Sequence, residues 1–192
     1  MDYYRILNKN VIKVIESLKK EKLYFNQISG LTGIKSKNNL LKNLDSLVKL
    51  KILIKEKNKS NTFYNINYDN FFSLILLQII NIAKFQNLPF ERRKPIEELI
   101  NKMKPLMIIL FGSTAKENYK KESDIDLLLI FNTKPKNIEE ISEISSKYGI
   151  KLNPIILKFS EININDDTIK HIFLTGYPII GHNYFYEVFK NV

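Results

Sequence analysis

Two short motifs in this 192-residue chain carry residue types suited to phosphate chemistry. Gly112-Ser113 closes the apolar run "LMIILF", and Asp124-x-Asp126 opens the apolar run "IDLLLIF". A glycine has no side chain to keep a phosphate away from the backbone, and a helix starting behind it offers N–H groups without an internal partner. Asp124 and Asp126 stand two apart at the head of a predicted strand, so their carboxylates point to the same face. Two hard oxygen ligands side by side suit Mg²⁺, with water and nucleotide phosphates filling its remaining positions. A turn that grips the β- and γ-phosphates, with a carboxylate pair that holds the metal over the α-phosphate, is the minimum apparatus for in-line attack with pyrophosphate leaving.

The elements that must position these groups are legible around them. Strand patterns occur at "LMIILF", "IDLLLIF" and "KLNPIIL", and helical patterns at about 114 to 119, 137 to 147 and 166 to 175. This alternation predicts an α/β domain with a small mixed sheet over residues 95–192. Lys116, Lys120 and Lys121 lie between the two motifs, where they could neutralise triphosphate charge or serve solubility alone. His171 is expected to be partly packed and His182 to cap the last helix, and Tyr184, Phe185, Tyr186 and Phe189 to form a packed closing helix.

Gly112-Ser113, ten residues and then Asp124-x-Asp126 before an apolar strand resemble the signature of the polymerase-beta-type nucleotidyltransferases. More narrowly they resemble the minimal nucleotidyltransferases of archaea and bacteria, which occur in toxin-antitoxin pairs or fused to a winged helix. The closing "FLTGYPIIGHNYFYEVF" is similar to the tail of such proteins. The resemblance implies that Asp124 and Asp126 are catalytic and ligate Mg²⁺ or Mn²⁺. It also implies that Gly112, Ser113 and Lys116 bind a nucleoside triphosphate, expected to be ATP. Active members complete the metal site with a third carboxylate on a neighbouring strand, which also helps activate the attacking hydroxyl. The matching strand here presents Asn153, which can ligate a metal but cannot take a proton, and Glu161 is the alternative carboxylate in the following turn. Members often carry arginines after the Gly-Ser pair, where this chain has Thr114-Ala115-Lys116.

The first half reads differently. Val11, Ile12, Val14, Ile15 and Leu18 recur at helical spacing; "FNQISGLTG" predicts a short helix with Ile28 and Leu31 inward and Gly33 as its stop. Ser36 caps a third helix with the stripe Leu40, Leu41, Leu44, Leu47 and Val48, and "KILIKEKNKSNTFYNINY" has the pattern of a hairpin. This order resembles the winged helix-turn-helix family, placed at residues 1–68. The resemblance implies that Lys35, Lys37, Asn38, Asn39 and Lys42 lie on or beside a recognition helix and Lys55, Lys57 and Lys59 on a wing, where they would contact double-stranded DNA; the alternative is a winged helix used for protein contact or dimerisation.

Charge agrees with that division. Residues 1–105 carry 20 Lys+Arg against 9 Asp+Glu, whereas residues 106–192 carry 10 against 11. The basic half suits a polyanion, or a solvated surface alone. Between the halves, residues 69–94 read as an apolar helix, "FFSLILLQIINIA", expected to pack between domains or in a homodimer, followed by a linker, "FQNLPFERRKP", broken by two prolines.

Cysteine is absent and histidine occurs twice, which excludes disulfides and Cys/His zinc frameworks. The start lacks a signal-peptide pattern and the longest apolar run is too short for a membrane span, so a cytoplasmic protein is expected. Three functional readings stay open. The first is a magnesium-dependent transfer of a nucleoside monophosphate to a hydroxyl of a protein or an RNA. The second is a DNA-binding regulator whose degenerate transferase domain senses a nucleotide. The third is an antitoxin-like partner of a small helical toxin.

Overall fold

A computed structural model describes residues 8–19, 21–58, 61–135 and 138–190, so Lys59 lies outside the described residues. The chain divides into two compact units, residues 1–80 and 81–192.

The first unit begins with helix α1 (Lys9–Ser17), whose first turn is capped by the Asn8 side chain accepting from the N–H groups of Asn10 and Val11. Val11, Val14, Ile15 and Leu18 are buried. Strand β1 (Leu23–Tyr24) leads into α2 (Phe25–Thr32), which ends at Gly33. Ile28 is buried, but Leu31 points outward, 68% exposed, contrary to the inward placement its spacing suggested. Four residues carry a helix just past one full turn and three fall well short of it. Thr32 therefore takes the inward place beside Ile28, and its hydroxyl donates to the Ile28 carbonyl at 2.7 Å.

Helix α3 (Lys37–Lys49) is capped by Ser36, whose hydroxyl accepts from the Asn39 N–H, and it buries Leu40, Leu44 and Leu47. Strands β2 (Leu53–Lys57) and β3 (Thr62–Ile66) pair antiparallel, with Leu53 opposite Ile66. β1 joins β3 on its other side, so the sheet has three strands in the order β1-β3-β2. A two-residue strand has too little alternation to be read in advance.

Helix α4 (Phe71–Gln86) spans the division between the units; Leu76, Leu77 and Ile80 are buried, and Phe71, Ile79 and Ile82 are exposed. The segment read as a proline-broken linker is helical from Phe90: α5 (Phe90–Met103) starts after Pro89 and contains Pro95. The Pro89 carbonyl accepts from the N–H groups of both Arg92 and Arg93, and Ile96 and Leu99 enter the core without exposure. Burial of that face outweighs the hydrogen bond an internal proline removes.

The second unit is built on a four-stranded mixed sheet in the order β6-β5-β4-β7. Strand β4 (Met107–Phe111) runs antiparallel to β5 (Ile125–Phe131), and β5 runs parallel to β6 (Leu152–Lys158). Met107 to Leu110 and Leu127 to Ile130 have no exposed surface, as two central strands covered on both faces require. Helix α6 (Gly112–Ala115) is a single turn, shorter than the helix its sequence suggests, and α7 (Glu139–Tyr148) precedes β6.

Helix α8 (Asp167–Thr175) is capped by Asp166 and leads to β7 (Tyr177–Ile180), which pairs antiparallel with β4. The flanking glycine at 181 has φ of +73°, and a Cβ there would stand 2.7 Å from the Met107 Cα, so a side chain would push this strand's end off the sheet. Helix α9 (His182–Phe189) closes the unit, with Phe185 stacked on Phe173 at 5.1 Å and on Phe189 at 5.5 Å. His171 is exposed rather than packed, and His182 is buried in the first turn of α9, behind Gly181 at the capping position.

Candidate active site

Three strand ends converge. Phe111, the last residue of β4, pairs with Asp126 across the antiparallel ladder, and Asp126 pairs with Asn153 across the parallel one. The turn that follows β4 is thereby brought against the Asp-x-Asp at the head of β5. The Asn153 amide donates to Asp126 Oδ1 at 2.9 Å. The register therefore places Asn153, not a neighbour, beside the carboxylate pair.

Gly112 makes this approach possible. Its φ is +69°, and a Cβ built on it would fall onto Asp126 Oδ2, 2.9 Å from Cγ and 3.1 Å from Cβ of the same side chain. No other residue type leaves that space open. Ser113 and Thr114 follow in the first turn of α6, where helical N–H groups have no partner within the helix. Ser113 is half-buried, and Lys116 ends the turn with its side chain exposed, as are those of Lys120 and Lys121.

Lys151, which the motifs did not single out, completes the cluster. Its Nζ donates to Asp124 Oδ2 at 2.8 Å, and the two side chains are 70% and 37% exposed. The hydrogen bond and charge of Asp124, with a smaller contribution from Asp126, hold the Lys151 ammonium above its ordinary pKa. Lys151 is therefore charged at neutral pH. It lies one residue before β6, at the polar start of the run "KLNPIIL", where a lysine reads as a solvated strand end, which is why spacing did not reveal it.

The other overlooked residue is Arg92 of α5, buried to 2% exposure. Its guanidinium donates to Thr114 Oγ1 and to the carbonyls of Ser123 and Lys120, at 3.0, 3.1 and 2.7 Å. All three belong to the segment that joins the Gly-Ser turn to the aspartates. A buried arginine was not expected in a stretch read as a linker.

Glu161 does not reach the cluster. It sits in a 3-10 turn beyond the far end of β6, accepting from the Lys158 N–H and from Lys134 Nζ, each at 2.9 Å, and these contacts hold its pKa low. Among the described residues no group of three His, Asp or Glu side chains could hold a metal ion. The two aspartates still suit a hard divalent cation. Each has one oxygen engaged by Lys151 or Asn153, and the other, Oδ1 of Asp124 and Oδ2 of Asp126, has no hydrogen-bond partner among the described residues.

The sequence of this unit matches a known family. The family model "Polymerase beta, Nucleotidyltransferase" covers residues 94–184. A Methanocaldococcus jannaschii protein named as a protein adenylyltransferase is 36% identical over 88 residues, 43% of this chain and 82% of that relative. The chain belongs to the polymerase-beta nucleotidyltransferase family.

A second M. jannaschii protein of the same name is 34% identical over 70 residues, 33% of this nucleotidyltransferase and 70% of that relative. Solved structures similar to it include a toxin-antitoxin with AMP-PNP, at 18% identity, TM-score 0.41, 54% of this chain and 86% of that one. Another is a mutant of the toxin-antitoxin MntA-HpeT, at 16% identity, TM-score 0.37, 50% of this chain and 81% of that one. The matched range, residues 94–184, contains Gly112, Ser113, Asp124, Asp126, Lys151 and Asn153.

Proposed function

We propose that this nucleotidyltransferase moves AMP from ATP to a hydroxyl of a protein, and that its first unit binds double-stranded DNA. The observation that carries the first part is the convergence of the Gly112 turn, Asp124 and Asp126 at adjoining strand ends. The protein acceptor is supported by the two relatives named as protein adenylyltransferases.

In this reading Ser113 and the first-turn N–H groups of α6 bind the triphosphate, and Lys116 adds charge at the turn's exit. Asp124 and Asp126 would hold Mg²⁺ or Mn²⁺, which on binding supplies charge stabilisation to the phosphates. Lys151 pairs with Asp124 and leaves a cation at the rim of the site. Asn153 fixes the Asp126 carboxylate by the hydrogen bond its side-chain amide donates. The acceptor oxygen bonds to the α-phosphorus, the bond to the bridging oxygen breaks, and pyrophosphate leaves. Asn153 cannot take the acceptor's proton, so the proton passes to solvent. Calorimetry tests the nucleotide site: ATP should bind in the presence of Mg²⁺ and lose affinity on chelation, and no binding under either condition would contradict the reading.

The DNA part rests on the exposed, cation-rich surface at the start of α3. Lys35, Lys37, Asn38, Asn39 and Lys42 are exposed there, opposite the buried Leu40, Leu44 and Leu47, and Lys55 and Lys57 are exposed on β2. Two of these groups are already engaged: Lys55 pairs with Asp45 at 3.7 Å, and Asn39 accepts from Asn43 at 3.2 Å. Helix, turn and hairpin in this order support a winged helix-turn-helix. A variant carrying Lys35→Ala, Lys37→Ala and Lys42→Ala should bind duplex DNA more weakly. Its slope of log affinity against log salt should flatten by about 2 to 3, the loss of three phosphate contacts. An unchanged slope in a fluorescence-anisotropy titration would remove this surface from the interface.

Asn153 favours a second reading, in which the protein is a regulator that binds nucleotide without transferring it. Nucleotide binding that alters duplex affinity, with no transfer to any macromolecule, is what that reading requires.

A further inference from the structure

We infer that Arg92 is a positioning residue for the transfer reaction, holding the segment between the Gly112-Ser113 turn and Asp124 in its working shape. The inference rests on the transferase reading above.

Among the described residues Arg92 is the one buried Lys, Arg, Asp or Glu side chain. Burying a charge is costly unless polar groups surround it, and among the described residues no carboxylate pairs with it. Instead the guanidinium donates to the carbonyls of Lys120 at 2.7 Å, Ser123 at 3.1 Å and Lys121 at 3.4 Å, and to Thr114 Oγ1 at 3.0 Å. Its plane lies over the Tyr119 ring, 4.0 Å from the centroid. Every one of these partners lies between the two motifs.

The contacts connect both ends of the site. Thr114, which accepts from Arg92, donates in turn to the Asp124 carbonyl at 3.5 Å, and Ser123, whose carbonyl Arg92 holds, immediately precedes Asp124. The Ser123 hydroxyl accepts from the Lys120 N–H at 2.9 Å, drawing the loop into the turn that the guanidinium clasps. Among the described residues nothing else on α5 donates to this segment. A planar group with five donors can span four acceptors and stack on a ring at once; an ammonium cannot. The place of Asp124 is thus set from a helix twenty residues upstream of the Gly-Ser turn, through a charge that itself touches no substrate.

The test measures binding of Mn²⁺ with α,β-methylene-ATP, whose α–β bridge cannot be cleaved, well below the melting temperature of each protein. Arg92→Lys keeps the charge and loses the fork; Thr114→Val keeps the shape and loses the relay hydroxyl, and it decides the matter if Arg92→Lys fails to fold. Both should bind about tenfold more weakly or worse, the loss expected for charge-assisted hydrogen bonds. Hydrogen exchange should quicken at the amides of residues 118–124 and stay unchanged in α7 and β6. A residue that only stabilises the fold would lower the melting temperature and leave the affinity of the folded protein as it was, and that result overturns the inference alone. A wild-type chain that binds no Mn²⁺ nucleotide overturns the transferase reading and this role with it.

Discussion

Asp126→Asn should lower nucleotide transfer about a thousandfold or more while leaving the fold intact. The side chain stands where β4, β5 and β6 meet, with one oxygen accepting from Asn153 and the other facing Gly112. The amide keeps the volume and the strand pairing but removes the negative charge that would hold the cation. Metal charge stabilisation amounts to several kcal/mol of barrier, and each 1.36 kcal/mol is about a factor of ten in rate. The substitution also sets two amides against each other, but both can rotate to satisfy the contact at this half-exposed position. Thermal melting should therefore change little. Steady-state transfer by the variant at the wild-type rate would mean that chemistry does not pass through this carboxylate.

Gly112→Ala should be the second most damaging single change. It forces a side chain into φ of +69°, a conformation that costs roughly 1–2 kcal/mol for a residue with Cβ. It also drives that Cβ into the Asp126 carboxylate, which cannot swing aside without losing the Asn153 bond. We expect transfer to fall about a hundredfold, because a displacement near 1 Å of a reacting group has that order of effect. Gly149→Ala is the control: its φ is +64° but nothing lies within 4 Å of a Cβ there. It should cost similar stability and no activity. Equal activity losses in the two variants would assign the effect to backbone strain and not to the approach of the turn to Asp126.

The parts of the molecule that sequence made legible are those in which one local signal dominates. β4 and β5 are apolar runs bounded by turn residues, and their side-chain alternation already places Asp124 and Asp126 on one face. Ser36 marks a helix start by its capping chemistry. What escaped depends on partners distant in the chain. α5 was hidden by its prolines, because the packing of Ile96 and Leu99 that sustains it is tertiary. Arg92 was hidden with it. β7 carries Pro178 between two glycines, a composition that reads as loop until β4 supplies its hydrogen bonds. Leu31 pointed the wrong way because a two-turn helix leaves three- and four-residue spacings hard to tell apart. Asn153 could be aligned from its strand pattern, but its bond to Asp126 and the ion pair of Lys151 with Asp124 emerge only from the parallel register of β5 and β6.

The most direct measurement incubates the purified protein with Mg²⁺ and ATP labelled at the α-phosphate or, separately, at the γ-phosphate, with cell lysate as the source of acceptors. α-Label should appear on a macromolecule, be abolished by protease treatment of the product and by the double variant Asp124→Ala/Asp126→Ala, and no γ-label should transfer. Absence of α-label from every acceptor, or equal labelling by the double variant, would contradict the transferase reading.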